Sequence, residues 1–106
     1  MIDRRTATRF PVEWQIQVER TEGSRGSIAD IGVLRNISSS GALFSVSLQL
    51  ATGNQIDVYI KLPLTEKRWL KYAAFVVRIE QGASHVAYAV RFASPRPDFG
   101  LPLIPA

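Results

Sequence analysis

No cysteine occurs anywhere in the chain. Disulfides and thiolate-held metal ions are therefore excluded. There is one histidine, His85, too few for a histidine metal cluster and little basis for a histidine-based catalytic pair. No apolar run approaches the roughly 20 residues that a membrane-spanning helix needs. The opening stretch MIDRRTATRF starts with charge and never reaches an apolar core, which is not the pattern of a secretory leader. The cytoplasm is the expected location. Paired carboxylates in a suggestive context, a nucleophile elbow and a phosphate-cradling glycine loop are also missing from the 106 residues, so catalysis is not expected.

Lysine is scarce where arginine is not. Ten arginines stand against three lysines, in a chain of net charge +4. Arginine presents a planar fork of donors that matches phosphate oxygens and a guanine edge, whereas lysine is a point charge. Arg4, Arg5 and Arg9 fall within six residues at the N-terminus. The positive charge is concentrated there, which suits an anionic partner.

The dominant hydrophobic period is two. Val12, Trp14, Ile16 and Val18 alternate with Glu13, Gln15, Gln17 and Glu19, the pattern of a strand with one buried and one wet face. Thr21–Gly26 is a turn by composition, and a second strand is expected over about Ser27–Arg35. Asn36–Gly41 is a polar connection and Ala42–Val46 a third strand. Gly53-Asn54 marks a turn before Ile56, Val58, Ile60 and Leu62, which alternate with polar neighbours and end at Pro63. An apolar stretch from Trp69 to Ile79 precedes a last strand in which Val86, Tyr88, Val90 and Phe92 share a face. Strands about 8–12 residues apart with turn chemistry between them predict an all-β fold, a six-stranded antiparallel barrel with little or no helix. Three segments follow: a basic arm (residues 1–11), a barrel (12–93) and a tail with four prolines (94–106). The expected interior includes Val12, Trp14, Ile16, Val18, Ile56, Val58, Ile60, Val86, Val90 and Phe92.

Two segments carry candidate chemistry. In the arm, Phe10-Pro11 favours extended geometry, so the arginines before it can fold back and present several guanidinium groups to one anion. Without a ligand, Met1–Arg9 is expected to be mobile. In Asn36-Ile37-Ser38-Ser39-Ser40-Gly41, Asn and Ser side chains either bond their own backbone in a polar turn or meet the edge of a purine base, and Gly41 either supplies a positive φ or lets a flat ring approach. Both readings use the same atoms. Trp14 and Trp69 read as core. Arg78 and Arg91 read as outward charges able to add contacts to an anion.

Taken together, Arg5-Thr6-Ala7-Thr8-Arg9 before the first strand and Asn36-Ile37-Ser38-Ser39-Ser40-Gly41 entering the third resemble the paired motifs of the PilZ family. Ala73–Gln81 and Tyr88–Phe92 look like that family's last two strands, with Ala89 where the family often has glycine. The resemblance implies a non-catalytic receptor for the bacterial second messenger cyclic di-GMP, with no cofactor and a downstream protein partner. By the same resemblance, Arg5 and Arg9 would clasp phosphates and the Hoogsteen edge of guanine. Asn36 and Ser38 would bond the guanine, and Gly41 would leave room for its ring. Arg4, just before the first motif, implies two stacked ligand molecules rather than one. Two other readings fit the same pattern: a PilZ-like interaction domain without ligand, and a small nucleic-acid-binding barrel. The latter wants exposed aromatics beside basic residues, whereas here most aromatics lie on the apolar stripes.

Overall fold

The computed structural model describes residues 10–21, 26–61, 69–82, 86–94, 96–100 and 102. The arm's Arg4, Arg5 and Arg9, His85 and most of the tail's end lie outside these, as do the side chains of Phe10–Glu13 and hence the expected burial of Val12.

Seven strands are present and no helix among the described residues. They are β1 (Phe10–Thr21), β2 (Ser27–Ile37), β3 (Gly41–Val46), β4 (Gln55–Lys61), β5 (Trp69–Gln81), β6 (Val86–Phe92) and β7 (Asp98–Gly100). Their order is β4-β1-β2-β3-β6-β5-β7, and a further β4–β5 pairing closes the first six into a barrel. Every pairing is antiparallel. Closure leaves no free edge around the six-strand ring at mid-barrel, the hazard of an open sheet in so small a protein. The short β7, from the proline-rich tail, pairs with Trp69–Lys71 of β5.

The alternating residues fill the barrel. Ile16, Val18, Leu34, Phe44, Val58 and Ile60 are completely shielded. Ile56, Val90 and Phe92 are also buried, while Trp14 and Val86 pack against the core half-buried. Rings meet inside it. Tyr72 stacks on Phe92 with centroids 3.9 Å apart, and Phe44 tilts against Tyr88 at 6.1 Å. At the Gly53 turn, expected from sequence, φ is 90°, a value that L-residues with a side chain avoid.

The expectation of a wet outer face on β1 holds at Gln15, which is exposed, but is overturned further along the strand. Gln17 is 0% and Glu19 9% exposed. Register explains this: Gln17 lies opposite Tyr59 and Glu19 opposite Asp57, and Tyr59 is itself buried on the barrel's outside. Lys71 faces Tyr59 across β4–β5, its Nζ 5.7 Å from the ring centroid. A Cβ on Gly100 would stand 3.1 Å from the same ring, so β7 passes close over it. Burial and the nearby Glu19 and Asp57 charges hold the Tyr59 hydroxyl above the usual tyrosine pKa, against the pull of Lys71. Trp69, expected as core, is buried at 3% exposure, but on this outer side, with Lys61 Nζ 5.9 Å from its ring.

Candidate functional site

Register gathers the second motif at one end of the barrel. Ile37 pairs with Phe10 and Asn36 with Pro11. Arg9 directly precedes Phe10 in the chain, so the arginine motif ends one residue before the strand position that pairs with Ile37. On the other edge of β2, Asn36 pairs with Leu43 after a register shift beyond Leu34. A bulge of this kind re-aims the side chains that follow it. It puts Ile37 in phase with the core residue Ala42 and Asn36 on the outer face. The strand therefore runs two residues further than the sequence reading, through Asn36 and Ile37.

The turn itself is tightly bonded. The Ser38 N–H donates to the Gly41 carbonyl at 2.9 Å, and the Phe92 N–H donates to the Ser40 carbonyl at 2.8 Å. The Ser38 hydroxyl accepts from the Ser40 N–H at 3.3 Å. It lies 3.4 Å from the Gly41 carbonyl, to which it donates, and 3.2 Å from the Ser40 hydroxyl. Ser38 is buried at 7% exposure. Its donor and one lone pair are thus used within the turn, and the Ser40 hydroxyl stands where it can take the other lone pair.

Gly41 is required for a different reason from a turn glycine. The only positive-φ residues among those described are Gly26 and Gly53, so the expectation of a positive φ at Gly41 is corrected. A Cβ at Gly41 would stand 2.1 Å from the Val90 carbonyl oxygen. β3 and β6 approach too closely there for any side chain.

Asn36 is the exception in an otherwise satisfied region. Its Oδ1 is shielded from solvent and has no hydrogen-bond partner among the described residues. A buried acceptor without a donor costs about 1–3 kcal/mol, a cost that an arriving N–H or guanidinium removes. Further round the outer face, Leu43 pairs with Ala89 and Gly41 with Arg91. Ala89, where a glycine is common in the resembled family, is buried at 1% exposure, so its methyl is accommodated. Arg78, opposite Ala89, is bound to Glu80 by two hydrogen bonds of 2.9 and 2.6 Å.

A separate cleft of about 710 Å³ opens near the other end of the barrel, between β2 and the β5–β6 hairpin, and includes Ile31, Val33, Ile79 and Val86. The motif residues do not line it.

A family model for the PilZ domain matches residues 3–99. This chain belongs to the PilZ family. Solved structures agree on the fold. The inhibitor of motility MotI/DgrA of Bacillus subtilis superposes with a TM-score of 0.68 at 22% identity, over 88% of this chain and 44% of that one. The PilZ domain of YcgR from Escherichia coli, solved with cyclic di-GMP, gives 0.63 at 12% identity, over 86% of this chain and 79% of that one. The PilZ domain of CeSA from a cellulose-synthesizing bacterium gives 0.58 at 20% identity, over 81% and 80%. The chain thus spans less than half of MotI/DgrA and about four fifths of each isolated PilZ domain. No curated protein matches the sequence.

Proposed function

We propose that this PilZ domain is a non-catalytic cyclic di-GMP receptor of the cytoplasm, acting on a downstream protein. The observation that carries the reading is the Asn36 acceptor, unpaired among the described residues, on the outer face and opposite Pro11 of β1, the strand that the arginine motif precedes in the chain. Guanine supplies N1–H and N2–H₂ donors suited to Asn36 Oδ1 and, in place of the Ser40 hydroxyl, to Ser38 Oγ. Its N7 and O6 are the acceptor pair that arginine reads bidentately. Arg5 and Arg9 would take that edge and the phosphates, and Gly41 leaves the approach open. The YcgR PilZ domain, solved with this ligand, has the same fold.

Arg4 extends the proposal to stoichiometry. Two stacked ligands bring four phosphate charges together, and a further guanidinium offsets their repulsion and can lie flat on a guanine. The expected ratio is two ligands per chain, with affinity falling as salt rises. Calorimetric titration with cyclic di-GMP, against GTP and cyclic AMP, tests the reading. Selective binding supports it, and no binding, or equal binding of all three, overturns it. A ratio of one for the parent at low salt would refute the Arg4 assignment alone. Arg4→Leu is expected to move the ratio from two toward one.

A further inference from the structure

Beyond the two motifs, the outer face continues across three strands. Gly41 of β3 pairs with Arg91 of β6, and Arg91 pairs with Phe75 of β5. Direct cross-strand partners share a face. The three residues therefore form one row, spanning two inter-strand steps of about 4.8 Å each. The row starts at the motif glycine, which has no side chain, and next to Arg91 on β6 the outer face carries only the buried methyl of Ala89, flanked by Leu43 and Arg78.

The far end of the row offers what the motifs do not. Phe75 is 39% exposed, although it is a large aromatic on a strand with a well-filled inner face. Val77 beside it is 50% exposed. The register shift between Val76 and Arg78 places Val77 and Arg78 together on the outside, two residues against one on β6. Arg91 is exposed, and its guanidinium has no hydrogen bond or ion pair among the described residues. Arg78 contrasts with it, being held by Glu80. An unspent guanidinium beside an exposed ring suits a ligand that is anionic along its backbone and flat and apolar on its base face.

We propose that the Gly41–Arg91–Phe75 row is a second contact area for cyclic di-GMP, resting on the receptor reading above. Asn36, Ser38 and the arm arginines hold one guanine. Arg91 donates to a ligand phosphate, and Phe75 takes the face of the second guanine. A mononucleotide has no second base to place there.

The full chain and its Arg91→Gln, Phe75→Ala and Arg78→Gln variants are titrated with cyclic di-GMP and with GMP, with melting temperatures measured alongside. Arg91→Gln is expected to weaken cyclic di-GMP binding on the order of tenfold, the scale of one charge-assisted hydrogen bond. Phe75→Ala is expected to weaken it about fivefold or more, through lost stacking. Arg78→Gln is expected to bind as the parent does. The residues are exposed, so melting should hardly change, and GMP binding should be the same for all four proteins. Parent-like cyclic di-GMP binding by both Arg91→Gln and Phe75→Ala overturns the row while leaving the receptor reading intact. Equal losses for GMP and cyclic di-GMP overturn it too. A parent that does not bind cyclic di-GMP overturns the receptor reading, and the row falls with it.

Discussion

Two parts of the barrel's outer surface bury polar groups, and they do so in opposite ways. Across β1, β4 and β5, Glu19 and Tyr59 are covered and face Asp57 and Lys71 in register. β7 passes over them at Gly100. That face is occupied by the chain itself. Across β2, β3 and β6, the turn satisfies its own backbone, yet among the described residues the Asn36 acceptor is shielded and unmatched and the exposed Arg91 has no partner. A closed polar cluster adds to stability, whereas a shielded acceptor without a donor costs stability until something binds. The difference separates structure from site more sharply than composition does, because both faces are polar.

The comparison can be broken most forcefully at its occupied face. Tyr59→Ala removes a buried ring from beneath β7 and is expected to cost about 3–5 kcal/mol of stability, read by chemical denaturation, with cyclic di-GMP affinity near the parent value wherever the variant is folded. A large loss of affinity in the folded variant would mean that the two faces are not independent.

Gly41→Val tests the open face through its backbone. The added side chain meets the Val90 carbonyl, so overpacking is expected to cost about 1–3 kcal/mol or more and to remove ligand binding as well. An unchanged melting temperature would contradict the close approach of β3 and β6.

Arg9→Ala separates binding from folding. Loss of one charge-assisted hydrogen bond is expected to weaken cyclic di-GMP binding by about 1.5–3 kcal/mol, with the melting temperature of the free protein unchanged. Parent-like binding would remove Arg9 from the site.

The smallest effect is a pH dependence from two tyrosines, Tyr59 on the occupied face and Tyr72 against the core. Tyr59 and Tyr72 both have raised pKa values, chiefly through burial. A raised folded-state pKa means that the folded protein holds the phenolic proton more tightly than the unfolded chain does. The resulting stability is complete below the unfolded value of about 10. It is lost as pH rises through the folded values. Melting curves from pH 8 to 11.5 should therefore fall only at the alkaline end, and Tyr59→Phe should flatten part of that fall. An equal fall in Tyr59→Phe would show that Tyr59 does not contribute.

Much of this was legible beforehand, for identifiable reasons. Period-two alternation in β1, β4 and β6 marks the inner face because the pleat alternates strictly, and Ile16, Val18, Val58, Ile60, Val90 and Phe92 are buried as expected. The turn at Gly53 was legible because a Gly-Asn pair has few other uses. The spacing of Asn36, Ser38 and Gly41 was readable as a motif, although the atoms each one commits to the turn were not.

What the chain's pattern determined by itself is the six barrel strands, their inner faces and the family motifs, all of which depend on neighbours close in sequence, whereas β7 in the proline-rich tail was not among them. Tertiary structure alone decided which outer positions are covered, since Gln17 and Glu19 look solvent-facing until β4 is laid beside them. It also decided that Gly41 is needed for the β6 carbonyl rather than for a positive φ. It brought Gly41, Phe75 and Arg91 into one row. The physical reason is common to all three. Outer-face burial and cross-strand adjacency depend on register and bulges between strands far apart in the chain, and a shift of one residue exchanges the faces.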